Sequence, residues 1–220
     1  RLGVEQVVTY TSKEAEGFIF DDVFNPDYGE LQRAILQGQT ELFVFYSGHG
    51  LPSKDGDQVY LFPSDGKVER LNQQGYNLDK FYTNLEKLGA KSVTVFLDAC
   101  FSGASKATEK IDMENLVSMK GVRIQPKYYQ PWLKNDNFSV FTSSSGDQTS
   151  LGFDPSQTGL FTYYLCSGMQ GEADLNQDRK ISNKEMNQYL KENIENMSTK
   201  IRGLQSPEFY GNENEILLEY

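Results

Sequence analysis

Histidine and cysteine are scarce in this 220-residue chain, which has one of the first and two of the second. Two cysteines, Cys100 and Cys166, are too few for a disulfide scaffold, and their contexts differ. A reducing, cytoplasmic setting is therefore the expectation. Long apolar runs are missing as well: no stretch approaches the ~18 consecutive apolar residues of a membrane-spanning helix, so no membrane partner is expected. Basic residues are outnumbered, 21 Lys and Arg against 31 Asp and Glu, for a formal charge of -10. Phosphate-backbone binding rests on Lys and Arg, so no nucleic-acid partner is expected either. The acidity is compatible with a cationic substrate or a divalent metal, although most of these charges read as a solvated surface. The opening Arg1-Leu-Gly-Val4 has no initiator Met, charged n-region or apolar h-region. It reads as trimmed or processed, with any targeting signal lost upstream. There is no internal repeat and no low-complexity tract.

What is present suits one sizeable domain that buries its core without disulfides. Val4–Tyr10 is rich in β-branched residues and predicts a strand. Leu31, Ala34 and Ile35 give 27–36 a helical spacing, and Leu78, Phe81, Tyr82, Leu85 and Leu88 do the same for 78–88, with Gly89 as the stop. Short apolar runs at 41–47, 59–62, 92–97 and 138–142 read as buried strands, 159–169 and 183–194 as helices, and 215–220 as a terminal strand. Strands alternating with helices predict an α/β fold around a central, mostly parallel sheet flanked by helices. Residues 104–137, mixed and polar, read as a long surface connection between the parts 1–103 and 138–220.

Two of the apolar strands end in unusual polar tips. One runs Leu-Phe-Val-Phe-Tyr-Ser-Gly-His49-Gly, the other Val-Thr-Val-Phe-Leu-Asp98-Ala-Cys100-Phe-Ser-Gly. Reactive groups gather beyond the carboxyl ends of parallel strands, so neighbouring strands would bring His49 and Cys100 to one edge. A thiol needs such a base to become a useful thiolate near neutral pH. The N–H groups of Gly50 and Cys100, in glycine-flanked turns, are candidate oxyanion donors. Either motif alone is weak, since a lone Gly-His-Gly is usually a turn and a lone apolar Cys is usually core. Cys166, in an apolar helical context, reads as core.

Ser47-Gly-His-Gly50 and Asp98-Ala-Cys-Phe-Ser-Gly103 together resemble the two catalytic motifs of caspase-like cysteine peptidases, nearest the bacterial and metacaspase branch. The 51 residues between His49 and Cys100 match the caspase spacing. Similar segments at 60–65, 159–164 and 205–208 extend the resemblance over nearly the whole chain. It implies the caspase–hemoglobinase fold and peptide hydrolysis by a His49–Cys100 dyad through a thioester, with no cofactor required. It also implies that the family's first strand, or further regulatory domains, lie outside this chain. Members with Asp two residues before the cysteine, as Asp98 is, resemble metacaspases, which cut after Arg or Lys. Asp98 and Ser47 would then line the pocket for a basic substrate side chain, with Ser143, Ser144 and Asp147 as further candidates. Lys106, Lys110, Lys120, Arg123, Lys127 and Lys134 in the connection become candidate self-processing sites. Four alternatives stay open: an Asp-specific peptidase, a catalytically silent interaction module, another acyl-transfer enzyme such as a ligase or deamidase, and a calcium-sensing binding domain.

One further motif is independent of the dyad. Asp174, Asn176, Asp178, Lys180 (through its carbonyl), Ser182 and Glu185 follow the ligand spacing of an EF-hand calcium loop. Arg179 stands where that loop needs glycine, and no second copy is present, so a turn with a helix cap competes with a calcium site. Asp21, Asp22, Asp55 and Asp57 are looser candidates for calcium.

Overall fold

The computed structural model of the protein describes residues 5–101, 129–145, 148, 150–153 and 155–220. In chain order its elements are α1 (Gly17–Phe24), α2 (Glu30–Ala34), β1 (Glu41–Pro52), β2 (Val59–Phe62), α3 (Leu71–Gln74), β3 (Tyr76–Asn77), α4 (Leu78–Lys87) and β4 (Ser92–Cys100). The second half adds β5 (Phe138–Thr142), β6 (Gly152–Phe153), β7 (Thr158–Gly159), α5 (Leu160–Ser167), β8 (Lys180–Ser182), α6 (Asn183–Lys200), β9 (Glu208–Tyr210) and β10 (Ile216–Glu219).

Six strands form the central sheet in the order β3-β2-β1-β4-β5-β9. The three apolar strands β1, β4 and β5 run parallel in its middle, and β2, β3 and β9 extend it antiparallel. Because side chains alternate along a strand, β4 feeds two cores. Val93, Val95 and Leu97 pack with Phe81, Tyr82 and Leu85 of α4. Phe96 packs with Phe141 of β5 and with Leu160, Phe161 and Leu165 of α5, and Met186, Leu190 and Ile194 of α6 complete that cluster. Asn77 caps α4 by accepting the Lys80 N–H, and Gly89, at φ +68, ends the turn in a conformation that other residues reach only with strain. The fold is thus the expected α/β arrangement with helices on both faces, but the sheet is mixed and not mostly parallel: two pairings in its middle are parallel, and the three toward its edges are antiparallel.

Several local expectations are corrected. Residues 5–10 form no strand; Val7 is exposed and Tyr10 donates to Glu30 Oε2 at 2.7 Å. Strand propensity reflects a fit to neighbouring strands, and this segment has none beside it. The 27–36 helix shrinks to α2, while α1, not anticipated, forms because Phe20, Val23 and Phe24 share a face that packs against Tyr76 and Phe81. Both motif-bearing strands run further than their apolar runs, β1 to Pro52 and β4 to Cys100. The terminal strand β10 joins β8 in a separate two-stranded sheet, not the central one. Most of the 104–137 connection, with Lys106, Lys110, Lys120, Arg123 and Lys127, lies outside the described residues. Lys134 is exposed just after a short 3-10 turn, whose Trp132 stacks on Tyr210.

Two measurements probe this packing. Phe81→Ala removes a fully buried ring in contact with Phe24, Tyr76 and Tyr82, and is expected to cost about 3–5 kcal/mol in a urea unfolding series. Glu215 is half-buried near Ser139, and burial holds its carboxyl above the ordinary value. A raised folded-state pKa contributes stability below the unfolded value and loses it as pH rises through the folded one. Glu215→Gln should therefore raise the melting temperature at pH 7, by about 1–2 °C, and leave it unchanged near pH 3.

Candidate active site

β1 and β4 pair in parallel without a break from Glu41↔Ser92 to His49↔Cys100. That register sets the two motif residues directly opposite, on strands ~4.8 Å apart, with their side chains on the same face. One pleat repeat earlier, Ser47 stands opposite Asp98, again on that face. All four side chains border one cavity of roughly 1430 Å³ that wraps around β1 and is closed on its far side by residues 7–13. Over residues 41–48 β1 has a hydrogen-bonded neighbour only on its β4 side among the described residues, because β2 joins it only at 49–52.

The glycines around His49 act differently from the expected turn formers. Gly48 and Gly50 lie within extended strand. A side chain at Gly50 would run into the Phe101 ring and the Cys100 carbonyl, and one at Gly48 into the Tyr46 hydroxyl. Absence of a Cβ lets strands and rings close around the histidine. The candidate oxyanion donors, Gly50 N–H and Cys100 N–H, accordingly belong to strands and not to turns. Tyr46 braces the same stretch. Its buried hydroxyl lies 2.8 Å from the His49 carbonyl and 3.1 Å from that of Phe62, and accepts the Phe62 N–H at 3.2 Å. Burial pushes its pKa far up, so it stays neutral.

Asp98 is 1 % exposed. A carboxylate is costly to bury unless its lone pairs are met by donors. Here Ser150 Oγ donates to Oδ1 and Thr162 Oγ1 to Oδ2, both at 2.5 Å. Gly159 completes the fit, since a Cβ there would overlap Oδ2. Cys100, 8 % exposed, receives the Ser150 main-chain N–H at its Sγ at 2.7 Å. The Ser150 segment is fastened in turn by Gln205, a buried amide that accepts from Leu151 N–H at 2.7 Å and donates to the Ser143 carbonyl at 2.8 Å. Ser150, Thr162, Gln205 and Tyr46 escape sequence reasoning. Apart from Tyr46, they reach the site across 50 or more residues of chain, and an isolated Ser, Thr or Gln carries no motif.

The remaining candidates fall elsewhere. Ser143 is fully buried and donates to the Ala99 carbonyl at 3.2 Å, while Ser144 donates to the Gln148 carbonyl; neither lines the cavity. Asp147 lies outside the described residues. Cys166, expected in the core, is exposed on α5, because the helix turns Phe161 and Leu165 inward instead.

In the 174–185 loop, Asp174 accepts the N–H groups of Asp178 and Arg179 and the Tyr220 hydroxyl. Asp178 accepts from Lys180 N–H and from Asn176. Glu185 caps α6 by accepting from Ser182 N–H and Oγ, and its Oε1 is buried without a hydrogen-bond partner. Arg179 takes the left-handed φ of +67 that a glycine would have taken freely. Among the described residues no group of three or more His, Cys, Asp and Glu side chains is arranged to hold a metal ion. Of the looser candidates, Asp21 pairs with Lys80 at 2.5 Å, which, with the Tyr28 hydroxyl, holds its carboxyl below the usual range, and Asp55 accepts from Ser53 and from Asp57 N–H.

The contact between Gly159 and Asp98 is open to a direct test. Gly159→Ala forces a methyl group onto Oδ2 and should cost about 1–3 kcal/mol by denaturant unfolding. Most of that cost should vanish when Asp98 is also replaced by Ala, giving a double-mutant coupling well above 0.5 kcal/mol.

Comparison with known proteins follows the same lines. A sequence model of the caspase domain matches residues 30–215. No curated protein sequence is significantly similar to the chain. Among solved structures, protein GSU0716 from Geobacter sulfurreducens superposes with a TM-score of 0.60 at 19% identity, over 95% of this chain and 80% of its own. Caspase-1 from Spodoptera frugiperda does so with a TM-score of 0.51 at 14% identity, over 99% of this chain and 75% of its own. With a family match spanning most of its length, the chain belongs to the caspase-domain family of cysteine peptidases.

Proposed function

We propose that the chain is a cysteine endopeptidase that cuts after Arg or Lys, with Cys100 as nucleophile and His49 as its acid–base partner. The observation that carries this reading is the register of β1 and β4. It stacks the His49–Cys100 pair directly above the Ser47–Asp98 pair on one face of one cavity.

His49 takes the thiol proton, and the Cys100 sulfur attacks the scissile carbonyl carbon, whose oxygen becomes an oxyanion. Gly50 and Cys100 N–H groups are the candidate donors to that oxygen. As the tetrahedral centre collapses, the C–N bond breaks and the imidazolium gives its proton to the departing amine. A thioester remains. Water, deprotonated by His49, then attacks it, the C–S bond breaks, and the acid leaves with the thiol restored. No step draws on a metal or cofactor.

Asp98 supports the preference for basic side chains. It is an acid bordering the cavity one pleat repeat from the nucleophile, on the same strand face. A guanidinium or ammonium entering that cavity would meet the carboxylate in a charge-assisted hydrogen bond. Peptides identical but for Arg, Lys or Asp at the cleaved position should be cut in the first two cases only. Cys100→Ala and His49→Ala should each lower kcat/KM by roughly 10³-fold or more. Asp98→Asn should act mainly on cleavage after basic residues, and a chelator should leave the rate unchanged. Undiminished cleavage by Cys100→Ala, or a preference for Asp, would sink the reading.

A further inference from the structure

We propose that Ser150 is a positioning residue for the nucleophile. Its main-chain N–H, donated to the Cys100 sulfur, makes the thiol easier to deprotonate, and its side-chain hydroxyl, fastened to Asp98, keeps that N–H in place. The inference rests on Cys100 being the nucleophile and adds what makes the sulfur reactive besides His49.

The geometry has three parts. Ser150 N lies 2.7 Å from Cys100 Sγ, while the Ser150 carbonyl, the acceptor for a protonated thiol, is 3.7 Å away. An N–H donates more strongly to the anion than to the thiol, whereas a carbonyl accepts only from the thiol, so the N–H is the contact that favours the anion. Next, Asp98 and Cys100 are two apart on β4 and so project from the same face. Ser150 spans both, with its main chain on the sulfur and its hydroxyl on Asp98 Oδ1. Finally, neither end of the tie is loose. Thr162 holds the other oxygen of Asp98, and Gln205 holds the N–H of Leu151, the next residue along. The N–H also answers a specific cost, because a carboxylate one pleat repeat away works against a second negative charge.

The test needs no peptide cleavage. In a Cys166→Ser background Cys100 is the only thiol, and its alkylation by iodoacetamide can be followed by mass spectrometry from pH 4 to 10. The midpoint of the rate profile reports thiolate formation; the plateau reports access. Ser150→Ala should raise the midpoint by about 0.5–1 pH unit, which lowers the rate near neutral pH roughly three- to tenfold. Ser150→Pro, which lacks the donor itself, should raise it at least as far, and Ser150→Thr, which keeps the hydroxyl, should restore it.

A folded Ser150→Ala protein with the parent midpoint overturns the proposal, as does a higher plateau at an unchanged midpoint, which would mean that Ser150 only covers the sulfur. Circular dichroism identifies a variant that has not folded. Should Ser150→Pro be one, Ser150→Ala decides alone. If no peptide is cut by the parent protein, the assignment as a peptidase fails, while the alkylation midpoints still judge Ser150.

Discussion

Nine consecutive residue pairs hold β1 and β4 together, and the last of them is His49 with Cys100. The proposed chemistry depends on that ladder ending where it does. Side chains alternate along a strand, so a slip of one residue would send His49 to the opposite face from Cys100 and part Ser47 from Asp98. The register is held by burial on both sides. The odd positions of β4 face α4, and on the even face Phe96 packs on α5 while Asp98 and Cys100 border the cavity, with all but Ser92 of the strand buried. An apolar strand between two packed layers has one comfortable register, and the polar tip inherits it. Close packing around His49 extends the effect, since Gly48 and Gly50 leave room for Tyr46 and Phe101 where side chains would not fit.

Asp98 is the point where stability and chemistry meet. An ion removed from water costs several kcal/mol, and hydrogen bonds to a charged group return about 1.5–3 kcal/mol each. Two hydroxyls therefore offset much of the cost of burying it. Those hydroxyls, with Gly159 and Gln205, come from the half of the chain that follows β5, whereas His49 and Cys100 come from the half before it. The first half carries the proposed reacting groups; the second supplies the hydrogen bonds around them.

Legibility followed the physics of each segment. Buried strands at 92–97 and 138–142 and the helix from Leu78 could be read because their burial pattern is written in local apolar spacing. Residues 5–10 misled because Val7 and Val8 have the side chains of a strand without a neighbour to pair with. The extension of β1 through His49 was equally hidden: a Gly-His-Gly tip looks like a turn until β2 folds back on it. Cys166 looked like core by composition, yet helix phase, which depends on what α5 packs against, turned it to solvent.

The sequence by itself determined the α/β class and the family and singled out His49, Cys100 and Asp98 as candidates, because these depend on local pattern and on residue types at set spacing. Only the tertiary structure decided what surrounds them. Ser150 on the sulfur, Thr162 and Gly159 on the acid, and Gln205 behind the loop are brought in across long stretches of chain. Such contacts are selected by the shape and unmet hydrogen bonds of a buried site, which exist only after the sheet has closed around it.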